Sequence, residues 1–251
     1  PAARVALLEV LAARRAEEAY ESVLRQTDAE APEVRVAARE ALGDVAAQDN
    51  LPVLVSLVME AETDDEKEAA QKAVITAAQR LEGGARALPV LEALDGASGA
   101  ARAALLQMLP SLATDEALAA VVEDTRSDSA PVREAAVAAL AAWPDFDATD
   151  ALLALARETE NAQHRLAAIR GYVRLVRGVN RLEAKKVLLL RDALAAAASA
   201  DGKRAVLNGL KQIGSVYALL TVAEMMDDEA LARTAAMAAV QMALPSKDNE
   251  T

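Results

Sequence analysis

The chain has 251 residues, a formal net charge of −12, 53% hydrophobic but only 2% aromatic residues, and no cysteine. Such a length holds one large domain or two small ones, and the missing cysteine excludes disulfides and thiol catalysis. No run of about 18 apolar residues exists to span a membrane, and a core built from alanine, leucine and valine favours helices over strands.

The chain opens with Pro1 already inside a helical pattern and carries no signal-peptide pattern, as expected of a segment of a longer protein. One phrase then returns along the sequence. Arg35 is followed two, three, six and seven places later by Ala37, Ala38, Ala41 and Leu42. The same frame, a basic residue followed by small or apolar ones, fits Arg4, Lys67, Arg102, Arg133, Arg165, Lys203 and Arg233, at intervals of 30 to 38 residues. Self-similarity at that period marks a stack of small units.

Each unit reads as two helices. "LPVL" opens one at 51–54 and another at 88–91, with Pro52 and Pro89 in the first turn, where a missing N–H costs nothing. The acidic "TDDEKE" at 63–68 suits a helix start, because carboxylates favour the positive end of the helix dipole. "EGGA" at 82–85 reads as an interhelix turn. In the copy at 129–143, Val132, Ala135, Ala136, Ala139, Leu140 and Trp143 fall on one helical face behind Pro131. Its partner helix begins near Thr149 or Asp150 and runs "ALLALAR". Trp143 continues the apolar stripe of its helix and is expected to close the core there, with Phe146 across the turn. Met225 and Met226 in "EMMDD" are expected as core filler. One helix pair cannot bury its apolar side alone; stacking on its neighbours does so.

Helix pairs carrying "VRxAAxxAL" in the second helix resemble HEAT-like repeats, and the resemblance extends over the whole chain. The segment 143–176 is similar to part of the HEAT-like arrays of large bacterial multidomain proteins, through Trp143, Pro144, Asp145, His164, Arg165, Arg170, Gly171 and Tyr172. The resemblance implies an all-α, right-handed superhelix of about seven helix pairs plus a leading helix over 1–244, with a polar tail at 245–251. It also implies that second helices line the inner curve and that the setting is extracytoplasmic. The repeated basic residues, Arg35, Arg102, Arg133, Arg165 and Arg233 among them, are then structural. Each packs on an acidic or carbonyl partner in a nearby loop, with Asp28, Asp64 and Asp128 suitably placed. The copies at Lys67 and Lys203 depart from the arginine.

No catalytic set can be assembled. The sole histidine, His164, excludes a two-histidine metal site, and its place beside Gln163 and Arg165 suits an exposed or loop-packing side chain. No GxSxG, phosphate-binding glycine loop or calcium loop is present. The chain is therefore read as a non-catalytic scaffold without metal or cofactor, holding a protein partner or sibling domains of its own polypeptide.

Charge distinguishes the two halves. Residues 1–125 carry 23 acidic and 11 basic side chains, whereas 157–211 carry 12 basic and 5 acidic ones. In that basic band Arg170, Arg174 and Arg177 share one helical face beside the core stripe Leu166, Ile169, Val173 and Val176. These arginines are either a solvated flank of the helix or, with Tyr172 and Lys211 nearby, the partner surface; Tyr172, like Trp143, also reads as core. The occupant of such a surface would be an acidic protein surface or an anionic polymer. Nucleic-acid or other polyanion binding through 157–211 is the alternative, opposed by the overall charge and the scarcity of aromatics for base stacking.

Overall fold

The computed structural model describes residues 1–244, which form sixteen α-helices joined by short 3-10 turns, with no strand among the described residues. The helices group into two compact units, Pro1–Ala139 and Leu140 onward. The first holds α1 (Ala2–Ala13), α2 (Tyr20–Leu24), α3 (Pro32–Val45), α4 (Leu51–Met59), α5 (Asp64–Ala78), α6 (Leu88–Gly96), α7 (Gly99–Leu106), α8 (Leu109–Leu112), α9 (Asp115–Asp124) and most of α10 (Ala130–Ala142). The second holds α11 (Thr149–Glu158), α12 (Ala162–Gly178), α13 (Glu183–Ala196), α14 (Ala200–Leu210), α15 (Val216–Glu224) and α16 (Ala232–Ala243). The polar tail expected at 245–251 lies outside the described residues.

Local chemistry sets the helix starts. Thr63, Thr114, Asn161, Ser199 and Ser215 each accept a backbone N–H of the following first turn, which satisfies a donor the helix itself cannot. Pro32, Pro52 and Pro89 sit in first turns, as their missing N–H allows. Pro110 does the opposite work. Its ring and absent donor stop α7 at Leu106, and the four-residue α8 follows, ending on Ala113 in the left-handed region.

Within each unit a helix packs on its chain neighbour and on the helix two places further on. In the first unit α3 lies against α1, α2 and α5, and α4 lies against α5 and α6. In the second, α12 lies against α11, α13 and α14, and α15 against α13 and α16. The repeat frame says why. In the six copies from Arg35 to Lys203, seven places after the basic residue come Leu42, Val74, Leu109, Leu140, Tyr172 and Leu210, all buried, whereas the Arg4 copy departs from the frame, with Leu11 only half-buried and Leu7 59% exposed. Three places after the basic residue in the same six copies come Ala38, Ala70, Leu105, Ala136, Ala168 and Val206, also buried. Burial of each leucine-sized side chain stabilises by about 1.5–3 kcal/mol.

Small residues set how closely the helices approach. A Cβ on Gly43 would stand 2.9 Å from Ala73 Cα, and one on Gly171 would stand 2.8 Å from the Ala141 carbonyl oxygen. Neither backbone contact can be relieved by turning a side chain, so both glycines are required by the packing. Trp143 is fully buried, as its place on the apolar stripe of α10 predicts. Met225 is core, but Met226 is 39% exposed, which corrects half of that expectation: it lies in the 3-10 turn Met225–Asp227, where neighbouring side chains diverge.

Candidate functional site

Six basic residues hold one geometric position. Arg35, Lys67, Arg102, Arg133, Arg165 and Lys203 are each the fourth residue of their helix. The backbone N–H of each donates to the carbonyl of the residue preceding the helix: Ala31, Thr63, Ser98, Ser129, Asn161 and Ser199. Helical side chains lean toward the N-terminus, so a long cation here folds back over the loop that leads into its own helix.

That loop supplies the partners. Arg35 Nη1 donates to the Ala29 and Glu30 carbonyls at 3.0 and 3.1 Å. Arg133 Nη1 reaches the Ser127 carbonyl at 2.6 Å and that of Asp128 at 3.4 Å. Arg165 Nε donates to the Ala156 carbonyl at 3.0 Å, and its Nη2 to that of Thr159. Arg102 Nη1 donates to the Leu94 carbonyl at the end of α6. Several of these carbonyls lie at the C-terminal end of the preceding helix, where the dipole favours a cation.

The acidic partners differ from the expected ones. Asp64 does accept from Lys67, at 2.6 Å, but on the surface. Asp128 contributes only its backbone carbonyl, and Asp28 does not bind the arginine. The carboxylates that close the anchors are instead Glu66 with Arg35 (2.7 Å), Asp124 with Arg102 (2.8 Å) and Asp228 with Lys203. Two of the three stand at or near the first turn of a later helix or the end of one, where sequence proximity gives no clue.

Glu66 is 1% exposed and lies between Arg35 and Arg39, whose Nη2 stands 3.6 Å away. Burial pushes its carboxyl up. Hydrogen bonds from Arg35 Nε and the Glu62 N–H, with both guanidinium charges, outweigh burial and hold it below the ordinary glutamate range. By sequence alone Glu66 is one more acid in a helix start. The overlooked signal was its spacing from Thr63, a T-x-x-E pattern in which the fourth member turns back over the helix start.

Arg233 is corrected. It makes no hydrogen bond or ion pair among the described residues and is exposed. The helix α16 starts at Ala232, so Arg233 is its second residue and its side chain leaves in another direction. Accordingly Val240, seven places later, is 60% exposed instead of buried.

The basic band divides in the same way. Arg170 is exposed and makes no hydrogen bond or ion pair among the described residues. Arg174 Nη2 donates to the Ala141 carbonyl at 3.1 Å and to that of Trp143, tying α12 to the end of α10. Arg177 donates to Gln212 Oε1, and its own carbonyl accepts from Lys186 Nζ at 3.0 Å. Lys211 is exposed at the end of α14. Arg181 lies 4.5 Å over the Phe146 ring, a contact worth about 0.5–1 kcal/mol at an exposed site. No carboxylate pairs with Arg170, Arg174 or Arg177 among the described residues. A cleft of about 300 Å3 opens between the end of α12, the start of α13 and the end of α14, lined by Arg174, Arg177, Lys186 and Glu183.

Tyr172 does not belong to this surface. It is 2% exposed, because it occupies the core place seven residues after Arg165. Burial, with the charges of Asp192 and Asp150, pushes its hydroxyl up to about 12. His164 is buried too, in the first turn of α12, where its backbone N–H donates to Asn161 Oδ1 at 3.2 Å. The exposed alternative for it is thereby corrected in favour of loop packing. Among the described residues no group of histidine and carboxylate side chains is arranged to hold a metal ion, and no helix is long and apolar enough to cross a membrane.

The chain matches no protein-family model and none of the curated proteins.

Proposed function

We propose that this chain is a HEAT-like helical repeat protein that acts as a non-catalytic interaction scaffold, for a partner protein or for sibling domains of its own polypeptide. The observation that supports this reading is the basic anchor. Six helices carry it at the same residue with the same backbone bond, as a stack of repeated supports requires and a single reaction centre does not. The contact surface in this reading is the exposed part of the basic band, Arg170, Arg177 and Lys211, with the half-buried Lys186 beside Arg177, and the occupant is an acidic protein surface. Arg174 serves as a structural clamp within it.

A labelled polyglutamate peptide tests the surface. It should bind at low salt, weaken as salt rises because exposed charges are screened beyond about 8 Å at physiological ionic strength, and be lost in the Arg170→Glu, Arg177→Glu, Lys211→Glu variant. Equal binding to parent and variant would remove the band from the interface. Tighter, salt-sensitive binding of duplex DNA or a sulfated polysaccharide at the same residues would move the reading to a polyanion binder, for which the carboxylate-free arginines of α12 are the supporting observation.

A further inference from the structure

We infer a second docking surface, on the opposite charge: an open groove across α1, α3 and α5 that fits a cationic peptide segment of a partner protein. The groove has a volume of about 760 Å3 and lies wholly within the first unit. Its middle is α3, which packs against both α1 and α5. Lining residues of α3 run from Glu33 to Asp44 along one face, a length of about 17 Å at 1.5 Å per residue. That is room for about three turns of a helix or a short extended stretch.

The floor is apolar and shallow-sided. Val5, Ala12, Val36, Ala37 and Ala41 line it, and the alanines let an incoming backbone come close, as they do between the helices of the fold itself. The rim is acidic: Glu9, Glu33, Glu40, Asp44 and Asp65. One lysine lies among them, Lys72, and it is already paired with Glu40 at 3.0 Å. Arg80 approaches the end of α3 only to bind the backbone carbonyls of Asp44 and Ala46. Glu9, Glu33, Asp44 and Asp65 form no ion pair among the described residues. Four like charges around one apolar trough repel one another, and a segment bearing lysines or arginines on one side and small apolar residues on the other relieves that repulsion while covering the floor.

The decisive measurement compares two variants of equal net charge. In the first, Glu9→Gln, Glu33→Gln and Asp44→Asn neutralise the rim, with Glu40 left to hold Lys72. In the second, Glu17→Gln, Glu18→Gln and Glu21→Gln neutralise exposed carboxylates outside the groove. The probe is a labelled peptide with lysines on one helical face and alanine and leucine on the other, titrated by fluorescence anisotropy. The rim variant should lose affinity roughly tenfold, as expected for three exposed charge pairs, while the second variant stays within about twofold of the parent. Hydrogen exchange in α1, α3 and α5 should slow when the peptide binds. Equal losses in both variants would mean that only the overall charge attracts the peptide, and the groove would be overturned. So would a rim variant that leaves peptide affinity unchanged, or one that dissociates a dimer of this chain while the peptide fails to bind.

Discussion

Glu40 and Arg170 hold the same place in two copies of one repeat, five residues after the basic anchor, and Asp44 and Arg174 hold the same place nine residues after it. Around these positions α3 and α12 agree. Both anchor an arginine at the fourth helical residue, bury a small residue three places later and bury a large one at the seventh. Yet α3 presents carboxylates and α12 presents guanidinium groups. The difference teaches which positions are free. Anchor and core places are held by packing and by buried polar partners, so their chemistry barely varies. The fifth place faces solvent in both helices, where a change of sign costs the fold little, and there each helix acquires its own surface.

The comparison can be broken first at the anchors, where the largest effect is expected. Arg35→Ala should destabilise by about 3–5 kcal/mol, since it leaves the Glu66 carboxylate buried beside the incompletely bonded Arg39, whose Nε has no acceptor. Arg165→Ala on α12 should cost less, about 1–3 kcal/mol, because it strands only loop carbonyls. Equal losses in chemical denaturation would show that Glu66 adds nothing to the anchor. Next come the core places: Leu42→Ala and Ile169→Ala should each cost about 2–5 kcal/mol through the cavity left behind. Melting points within a degree of the parent would refute the common frame of the two helices.

Close packing gives a smaller loss. Gly171→Ala should cost about 1–3 kcal/mol, because its new Cβ meets the Ala141 backbone. A sharper distinction between α3 and α12 lies in acid. The Glu66 carboxyl is held below its ordinary value of 4.5 in the folded chain. Its contribution is therefore complete above that value and is lost as pH falls through the lower, folded value. The difference in stability between the parent and Glu66→Gln should shrink as pH drops through that window, whereas the difference between the parent and Arg165→Ala should stay level. The smallest effect belongs to Arg233→Ala, expected within about 0.5 kcal/mol of the parent because this arginine is exposed and off the anchor register. A loss comparable to that of Arg165→Ala would restore Arg233 to the repeat.

Much of the candidate surface was legible. The exposed places of Arg170, Arg177 and Lys211 follow from helical spacing alone. Tyr172 belongs to the core by the same frame that places Leu42 and Leu140, since it stands seven residues after Arg165; of its two readings, core and surface, the structure keeps the first. Arg174 could not be resolved that way, because its acceptors, the carbonyls of Ala141 and Trp143, become reachable only when α12 packs against the end of α10.

Sequence by itself determined the helical class, the starts capped by Thr63, Asn161 and Ser199, and the periodic core, because each depends on residues within a few places of one another in the chain. Tertiary structure alone decided that Glu66 answers Arg35 across 31 residues and Asp124 answers Arg102 across 22. It also decided that Arg233 finds no partner among the described residues, since α16 begins two residues too late for the anchor position. The reason is physical. A local frame tells which way a side chain leaves its helix, but an ion pair needs the second charge brought within about 4 Å, and only the packing of separate helices sets that distance.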